Sequence, residues 1–185
     1  MAEPTASHDS LTVEEYLKLE DGATVRHEYV GGEIFAMVGA TKRHNRIIVN
    51  ITSRLWEAAR GGDCRVYSEG VKLCVADDVI YYPDVMVACG PEGEDPVVED
   101  DPCLVVEVAS PGTETTDRRE KLAAYKRMYG LRAYLIVAQD RRWVEGHLRG
   151  EDNLWHRGDL VDEGHLSIPC PETELTLEEI YEGLE

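Results

Sequence analysis

Two short apolar runs constrain the fold of this chain more than any other feature. They are Leu104–Ala109 and Tyr134–Ala138, and both are far too short to span a membrane. Between them, residues 117–129 carry apolar side chains at helical spacing and end at Gly130, as a helix with a C-terminal glycine would. The order strand, helix, strand predicts a sheet with a helix packed on its face.

The other segments extend this pattern to an α/β (α+β) fold with a central mixed sheet flanked by helices. Residues 25–37 alternate around Gly31-Gly32, which predicts an N-terminal β-hairpin. Residues 44–60 have helical periodicity. The other predicted elements are a short helix capped by Ser10 or Thr12, strands at 65–75 and 80–88, peripheral strands from Trp143 onward, and a closing helix at 177–184. We interpret residues 1–9 as a flexible leader and residues 10–185 as a single domain.

Composition favours a cytoplasmic globular protein. Hydrophobic residues make up 43% of the chain, which is enough to build a core. Residues 1–10 are polar and lack the basic and apolar blocks of a signal peptide. The five cysteines include no CxxC pair, so we expect neither a zinc site nor a disulfide framework and treat them as small hydrophobic residues.

The net charge limits the choice of partners. Nineteen basic residues against 37 acidic ones give a net charge of −18, and such a field repels polyanions. Part of the excess is local, since residues 92–101 and the stretch from Glu172 are rich in acid. A solvated loop and tail explain those stretches, but the overall balance counts against avid, nonspecific DNA binding.

Two carboxylates occupy positions that are costly for a charged group. Asp84 follows Pro83 at the start of an apolar strand, and Glu107 lies inside the run Leu104–Ala109. A carboxylate in such a strand must be paired, hydrogen-bonded or bound to a cation. Two acids on neighbouring strands near one end of a sheet predict a site for a hard cation such as Mg²⁺.

A lysine on the following helix completes this candidate site. At about 100° per residue, Lys121 falls within the apolar arc of its helix and should point back toward Glu107, with Arg118 projecting roughly the same way. We expect Asp117 to cap this helix, with Glu120 completing a capping box. Lys121 has two interpretations, a catalytic group or a cation that neutralises Glu107 or Asp84.

An ordered set of short motifs resembles one known family. They are Leu11-Thr-Val-Glu-Glu-Tyr, Glu28-Tyr-Val-Gly-Gly-Glu33, His44-Asn45-Arg46, Tyr81-Tyr-Pro-Asp84, Val106-Glu107-Val-Ala-Ser-Pro and Asp117-Arg-Arg-Glu-Lys121. Together they resemble the Uma-type endonucleases of the PD-(D/E)XK, or restriction-endonuclease-like, superfamily. The resemblance runs from about Leu11 to the C-terminus and implies a restriction-endonuclease-like core that forms a homodimer.

The resemblance also implies roles for individual residues. Asp84 and Glu107 fill the two acidic positions of the superfamily motif, but Ala109 stands where that motif has lysine. Lys121 matches the lysine that has moved to the next helix, and Lys72 is a weaker candidate for the same role. Glu33 and His44 match acidic and histidine positions near the site; alternatively, Glu33 is a surface residue of the hairpin and His44 only begins a helix.

These assignments predict a metal-dependent endonuclease that hydrolyses phosphodiester bonds in nucleic acid. Asp84, Glu107 and the Val108 carbonyl would hold Mg²⁺ or Mn²⁺, Lys121 would offset charge on the phosphate, and Arg118 or Lys72 would contact substrate. Two alternatives remain: a catalytically silent dimeric scaffold with the nuclease fold, or a hydrolase of another phosphate ester. A basic rim around Asp84 would favour nucleic acid, whereas an acidic mouth would favour either alternative.

Overall fold

The computed structural model describes residues 10–37, 39–110 and 114–184. The predicted leader, residues 1–9, lies outside the described residues. The helices are α1 (Val13–Asp21), α2 (Lys42–Ala59), α3 (Glu114–Thr116), a π-helical segment (Asp117–Lys121), α4 (Leu122–Tyr125) and α5 (Leu177–Ile180). The strands are β1 (His27–Val30), β2 (Glu33–Ala36), β3 (Cys64–Ser68), β4 (Lys72–Ala76), β5 (Val79–Tyr81), β6 (Val85–Cys89), β7 (Val98–Glu99), β8 (Leu104–Ala109), β9 (Ala133–Ala138), β10 (Trp143–Arg149), β11 (Trp155–Val161), β12 (His165–Pro169) and β13 (Glu172–Thr176).

A six-stranded mixed sheet forms the centre of the fold, in the order β11-β10-β9-β8-β6-β3. Strands β8 and β9, which contain the two apolar runs, are parallel neighbours, and the chain between them forms α3, the π-helical segment and α4. Parallel neighbours require such a crossover. The strand–helix–strand unit predicted from the two apolar runs is therefore confirmed.

Alternation along β8 sends its side chains to two different cores. Leu104, Val106 and Val108 pack with the buried face of α2, whereas Val105 and Ala109 pack with Tyr125 of α4 on the opposite face of the sheet. The α2 residues that the helical periodicity marks are buried, namely Ile47, Ile48, Ile51, Leu55 and Ala59. Because successive strand residues face opposite ways, Glu107 belongs to the face covered by α4.

A second, five-stranded sheet has the order β2-β1-β5-β4-β7, and it corrects two predicted strands. The stretch 65–75 is broken by Glu69 and Gly70, whose φ values of 44° and 114° are incompatible with a strand. The stretch 80–88 is broken at Pro83, which cannot donate to a strand ladder. In each case the first and second halves pair in different sheets.

The segment from Trp143 is more central than predicted. Strand β10 pairs with β9 on one side and β11 on the other, and residues 144–147 within it are buried. Only β11, at the sheet edge, and the hairpin β12–β13 fit the description of peripheral strands. The hairpin and α5 add Leu166, Ile168, Leu175, Leu177 and Ile180 to the core beside α2.

The helix that carries Lys121 begins earlier and ends earlier than predicted. It starts at Glu114 rather than Asp117 and ends at Tyr125, and its middle turn is π-helical. Asp117 therefore lies inside the helix and does not cap it. The cap predicted for the first helix is confirmed, because the Thr12 side chain accepts from the Glu15 amide and Glu15 bonds back to Thr12.

The cysteines are the clearest error of the sequence interpretation. Cys64 is bonded to Cys89, and Cys103 is bonded to Cys170, although these pairs are separated by 25 and 67 residues. Cys74 is free. Sequence spacing could not reveal the pairing, because the sheet topology alone brings these residues together.

No helix among the described residues is long and apolar enough to cross a membrane.

Candidate active site

Sheet register places the two predicted acids opposite each other. Strands β6 and β8 are antiparallel, with Val85 paired to Val106. Asp84 is one residue before Val85 and Glu107 one residue after Val106, so the two acids lie across from each other where β6 begins. The predicted convergence of Asp84 and Glu107 follows directly from this pairing.

Both oxygens of Asp84 are held in place. Its Oδ2 accepts from the Val108 backbone N–H at 2.6 Å, and its Oδ1 lies 3.2 Å from His44 Nε2. Because a carboxylate accepts only, His44 carries its proton on Nε2. Burial opposes protonation of His44, but the hydrogen bond to Asp84 and the charges of Asp84 and Glu69 outweigh it, so the pKa of His44 is raised.

Glu107 is 4% exposed and lies under the crossover helix. Its Oε1 accepts from Lys121 Nζ at 3.1 Å and from the Tyr125 hydroxyl at 2.9 Å. Burial raises the pKa of Glu107 well above its ordinary value; Lys121 opposes this rise, and the neighbouring acids, led by Asp84, add to it. A buried carboxylate with this environment favours a proton or a cation beside it.

Lys121 is shared among several acids. Its Nζ lies 2.8 Å from Glu28 Oε1, 3.1 Å from Glu107 Oε1 and 3.8 Å from Asp117 Oδ1. Burial alone would lower the pKa of Lys121, but the charges of Glu107, Glu28 and Asp117 outweigh it and raise the pKa. The ammonium group therefore stays charged, and it cannot neutralise all of the acids around it.

These groups line one cavity of about 600 Å³. It brings together five of the predicted site residues: Asp84, Glu107, Val108, His44 and Lys121. Its acidic lining residues are Glu28, Glu69, Asp84, Glu107 and Asp117. Among the described residues that line it, only Arg26 and Lys121 carry a permanent positive charge. The mouth is therefore acidic, and the basic rim that would favour duplex DNA is not formed by the lining residues.

Three predicted residues, Glu33, Lys72 and Arg118, are not among the residues that line this cavity. Glu33 shares a strand face with Phe35 but lies at the turn end of the hairpin, paired with Val30 and exposed to solvent. Lys72 is buried on β4, with its ammonium 5.6 Å from the centre of the Tyr82 ring.

Arg118 forms ion pairs with two acids outside the cavity lining. It contacts Glu114 at 2.6 Å and Glu145 at 3.1 Å, and its guanidinium stacks over Trp143. The helical wheel predicts that Arg118 projects as Lys121 does, toward Glu107, but its partners are not among the residues that line the cavity.

Three acids that line the cavity, Glu28, Glu69 and Asp117, are not among the site residues predicted from the sequence. In the sequence, Glu28 stands out only as part of the hairpin motif Glu28-Tyr-Val-Gly-Gly-Glu33, and Asp117 is predicted as a helix cap. Glu28 reaches Lys121 from β1 of the other sheet, a contact between residues 93 positions apart that no local pattern encodes. The signal that was available for Asp117 was its i, i+4 spacing from Lys121 on one helix face.

The donor set suits a hard divalent cation. Asp84 and Glu107 offer carboxylate oxygens beside each other on adjacent strands, and the Val108 backbone contacts both Asp84 and His44. Mg²⁺ and Mn²⁺ prefer such oxygen ligands. The excess of acids over cations in the cavity is the electrostatic condition that a bound cation would relieve.

Comparison with known proteins assigns the family. The Uma2 family, described as "Putative restriction endonuclease", matches residues 13–179, so this chain belongs to the Uma2 family. The uncharacterized protein slr1290 of Synechocystis sp. is 32% identical over 183 residues, 98% of this chain and 96% of its own. The uncharacterized protein sll1609 of the same organism is 30% identical over 161 residues, covering 83% and 89% of the two chains.

A solved structure shares the fold. The crystal structure of a protein described as a "putative nuclease belonging to DUF820", from Anabaena variabilis, superposes with a TM-score of 0.75. The likeness covers 92% of this chain and 97% of that one, at 18% sequence identity. The predicted fold class, a mixed sheet with flanking helices of the nuclease type, is thereby confirmed.

Proposed function

We propose that this protein is a metal-dependent endonuclease that hydrolyses phosphodiester bonds. The observation that carries the proposal is the meeting of Asp84 and Glu107 on adjacent strands with Lys121 buried beside them. In an ordinary structural ion pair one acid is matched by one cation, whereas here the single ammonium group of Lys121 contacts three acids, Glu28, Glu107 and Asp117. Membership in the Uma2 family supports the same reaction class.

Asp84, Glu107 and the Val108 carbonyl would hold the cation. When bound, Mg²⁺ or Mn²⁺ would lower the pKa of water and offset charge on the phosphate. Asp84 is preoriented for this role because Val108 N–H and His44 fix both of its oxygens.

The remaining groups position substrate and protons. Lys121 stays charged and would stabilise the negative charge that develops on the phosphate. Its contacts with Glu28 and Asp117 hold it in place from two sides. His44, with its Nε2 proton aimed at Asp84, would orient that carboxylate and exchange a proton with water in the cavity.

The test combines metal binding with cleavage. Mg²⁺ and Mn²⁺ binding to the full chain is measured by calorimetry, and nicking of supercoiled plasmid and cutting of a labelled single-stranded oligonucleotide are followed beside it. Asp84→Asn should abolish saturable binding, and Lys121→Met should leave metal binding but reduce cleavage by about 100-fold or more. Glu33→Gln, an exposed acid outside the cavity, is the matched control and should behave as wild type.

Two outcomes would contradict the proposal. One is a wild-type protein that binds neither ion with nucleic acid present. The other is full cleavage by Asp84→Asn, Glu107→Gln and Lys121→Met alike. Circular dichroism of each variant ensures that a loss of activity is not a loss of fold.

A second candidate is hydrolysis of a smaller phosphate ester at the same site. The acidic lining of the cavity favours it, since a duplex would bring many phosphates near Glu69, Asp117 and the other acids. Cleavage of a dinucleotide or a bis-aryl phosphate ester, without plasmid nicking under the same metal conditions, would select this candidate over the endonuclease.

A further inference from the structure

Four of the five cysteines meet at one end of the six-stranded sheet. Cys64 begins β3, Cys89 ends β6 and Cys103 immediately precedes β8. Asp84 precedes β6 and Glu107 lies late in β8, so the cysteines occupy the end of the sheet opposite the candidate active site. This cluster takes no part in the proposed hydrolysis.

The fourth member, Cys170, comes from the turn between β12 and β13. The sulfurs of Cys89, Cys103 and Cys170 all lie within 4.8 Å of one another, and Cys64 is bonded to Cys89. The sulfurs of Cys89 and Cys103, which belong to different disulfides, are 3.4 Å apart. Two disulfides that only cross-link the fold need not touch, whereas here three sulfurs from both disulfides share one small volume and the fourth is bonded to one of them.

We propose that the reduced form of this cluster is a structural site for a thiophilic divalent cation of the Zn²⁺ class, with Cys64, Cys89, Cys103 and Cys170 as its four ligands. With Zn–S bonds of about 2.3 Å, tetrahedral ligand sulfurs lie about 3.8 Å apart. The sulfurs of Cys89, Cys103 and Cys170 already converge on that scale, and Cys64 is bonded to Cys89. All four cysteines are partly buried against the core beside α2, as suits a closed site without an open coordination position.

The two states are related by a balanced exchange. Each disulfide accepts two electrons and two protons from a dithiol reductant, which becomes a disulfide, and two cysteine thiols result. Metal binding then releases the thiol protons, because the thiolate is the ligand. The bound ion would fasten the turn at Cys170 to β3, β6 and β8.

The test uses the full chain, reduced with a dithiol and freed of metal by a chelator. Co²⁺ is added as a spectroscopic probe, since tetrahedral thiolate coordination gives charge-transfer and intense d–d bands that oxygen ligands do not give. Zn²⁺ affinity is then measured by competition with a chromophoric chelator. Cys170→Ser and Cys89→Ser should weaken Zn²⁺ binding by more than roughly tenfold, since even changes beyond the ligands cost that much. Cys74→Ser, in the other sheet, is the matched control and should bind as wild type does.

A second measurement covers variants that fail to fold. Zn²⁺ should protect Cys64, Cys89, Cys103 and Cys170 of the reduced wild type from alkylation but leave Cys74 unprotected, as read by mass spectrometry of each peptide. If reduction unfolds the chain, Zn²⁺ should restore its circular dichroism. The inference is overturned by a reduced wild type that gives no thiolate–Co²⁺ bands, by unchanged Zn²⁺ affinity in Cys170→Ser, by equal alkylation with and without Zn²⁺, or by a reduced, unfolded chain that Zn²⁺ does not refold.

Discussion

Glu107 and Lys121 touch at 3.1 Å, but Lys121 is also 2.8 Å from Glu28. Removal of the Glu107 charge therefore leaves the lysine with a partner and takes one buried charge out of an acidic cavity. We expect Glu107→Gln to leave the free energy of unfolding unchanged or to raise it by up to about 1 kcal/mol. Cleavage should be lost. Urea denaturation in chelator at pH 7.5, beside the cleavage assay, measures both.

Lys121→Met is the opposite case in the same cavity. It leaves Glu28, Glu107 and Asp117 buried without their shared cation, so we expect a loss of about 3–5 kcal/mol in the free energy of unfolding. Equal losses in Glu107→Gln and Lys121→Met would show that the two form an ordinary ion pair, and the site would then have no excess charge to offer a metal ion.

His147 gives the fold a dependence on pH. It is buried, with Nε2 2.8 Å from Glu145 Oε1. Burial lowers the pKa of His147, the charges of Lys126 and Arg157 lower it further, and the bond to Glu145 only partly offsets them. The unfolded chain takes up this proton below its ordinary pKa of 6.5, so the stability from burying the neutral ring is fully present above pH 6.5 and is lost as pH falls from that value toward the lowered pKa of the folded state.

We therefore expect the free energy of unfolding to decline more between pH 7.5 and 5.5 in wild type than in His147→Gln, which keeps a donor toward Glu145. Urea titrations at several pH values give the comparison. Acidification also relieves repulsion in a chain of net charge −18, so the difference between the two proteins, rather than either curve alone, is decisive. Parallel curves would contradict the prediction.

At the scale of the element, the first turn of α2 links helix stability to the site. Thr41 caps α2 by accepting from the His44 amide at 3.1 Å and donates to Gln139 at 3.0 Å. Thr12 caps α1 in the same way but is not among the residues that line the cavity. Each Thr→Ala change should cost about 1 kcal/mol of stability, but only Thr41→Ala should also lower cleavage, because it loosens the turn that carries His44. Equal activity in the two variants would remove His44 from the site.

Elements with a strong local signal were predictable, and their pairing was not. The periodicity of α2 and the apolar runs of β8 and β9 gave both their type and their buried faces, because burial on a helix or strand repeats along the sequence. The division of residues 65–75 and 80–88 between two sheets depends on positive φ at Glu69 and on tertiary pairing. Ser68-Glu69-Gly70 and Pro83 are visible in the sequence as breaks, but the sheet that each half joins is not encoded in the local hydrophobic pattern.

The same distinction between local signal and tertiary pairing applies to the residues of the candidate site. Asp84 and Glu107 stood out because a charge inside an apolar strand is costly wherever that strand lies, and Lys121 stood out from its position on a helical wheel. Glu28 and the cysteine cluster depend on which strands become neighbours. Glu33 matches the family motif, but the β1–β2 register places it at the turn end of the hairpin, outside the cavity lining.

For the whole molecule, the charge distribution predicts weak dependence of substrate binding on salt. Each phosphate neutralised by a basic side chain contributes a slope of about −0.9 to log K against log salt for duplex DNA. Arg26 and Lys121 are the permanently cationic residues among the described lining of the cavity, so we expect a slope of about −2. Fluorescence anisotropy with Ca²⁺ in place of Mg²⁺, between 50 and 200 mM salt, would measure it.

Arg26→Gln should reduce that slope by about one, and Arg119→Gln, on the exposed face of the crossover helix, is the control that should not. A wild-type slope of −6 or steeper would mean that a basic surface outside the cavity binds the nucleic acid.

The bond between Glu28 and Lys121 joins the five-stranded sheet to the crossover helix of the six-stranded sheet. These partners are brought together only when both sheets have formed and docked, a long-range contact of the kind that is made late in folding. A nascent or partly unfolded chain thus holds Asp84 and Glu107 in sequence but lacks the assembled cavity. Hydrolysis would then begin only when the tertiary structure is complete. The time course with which cleavage activity returns during refolding would therefore report when the two sheets dock.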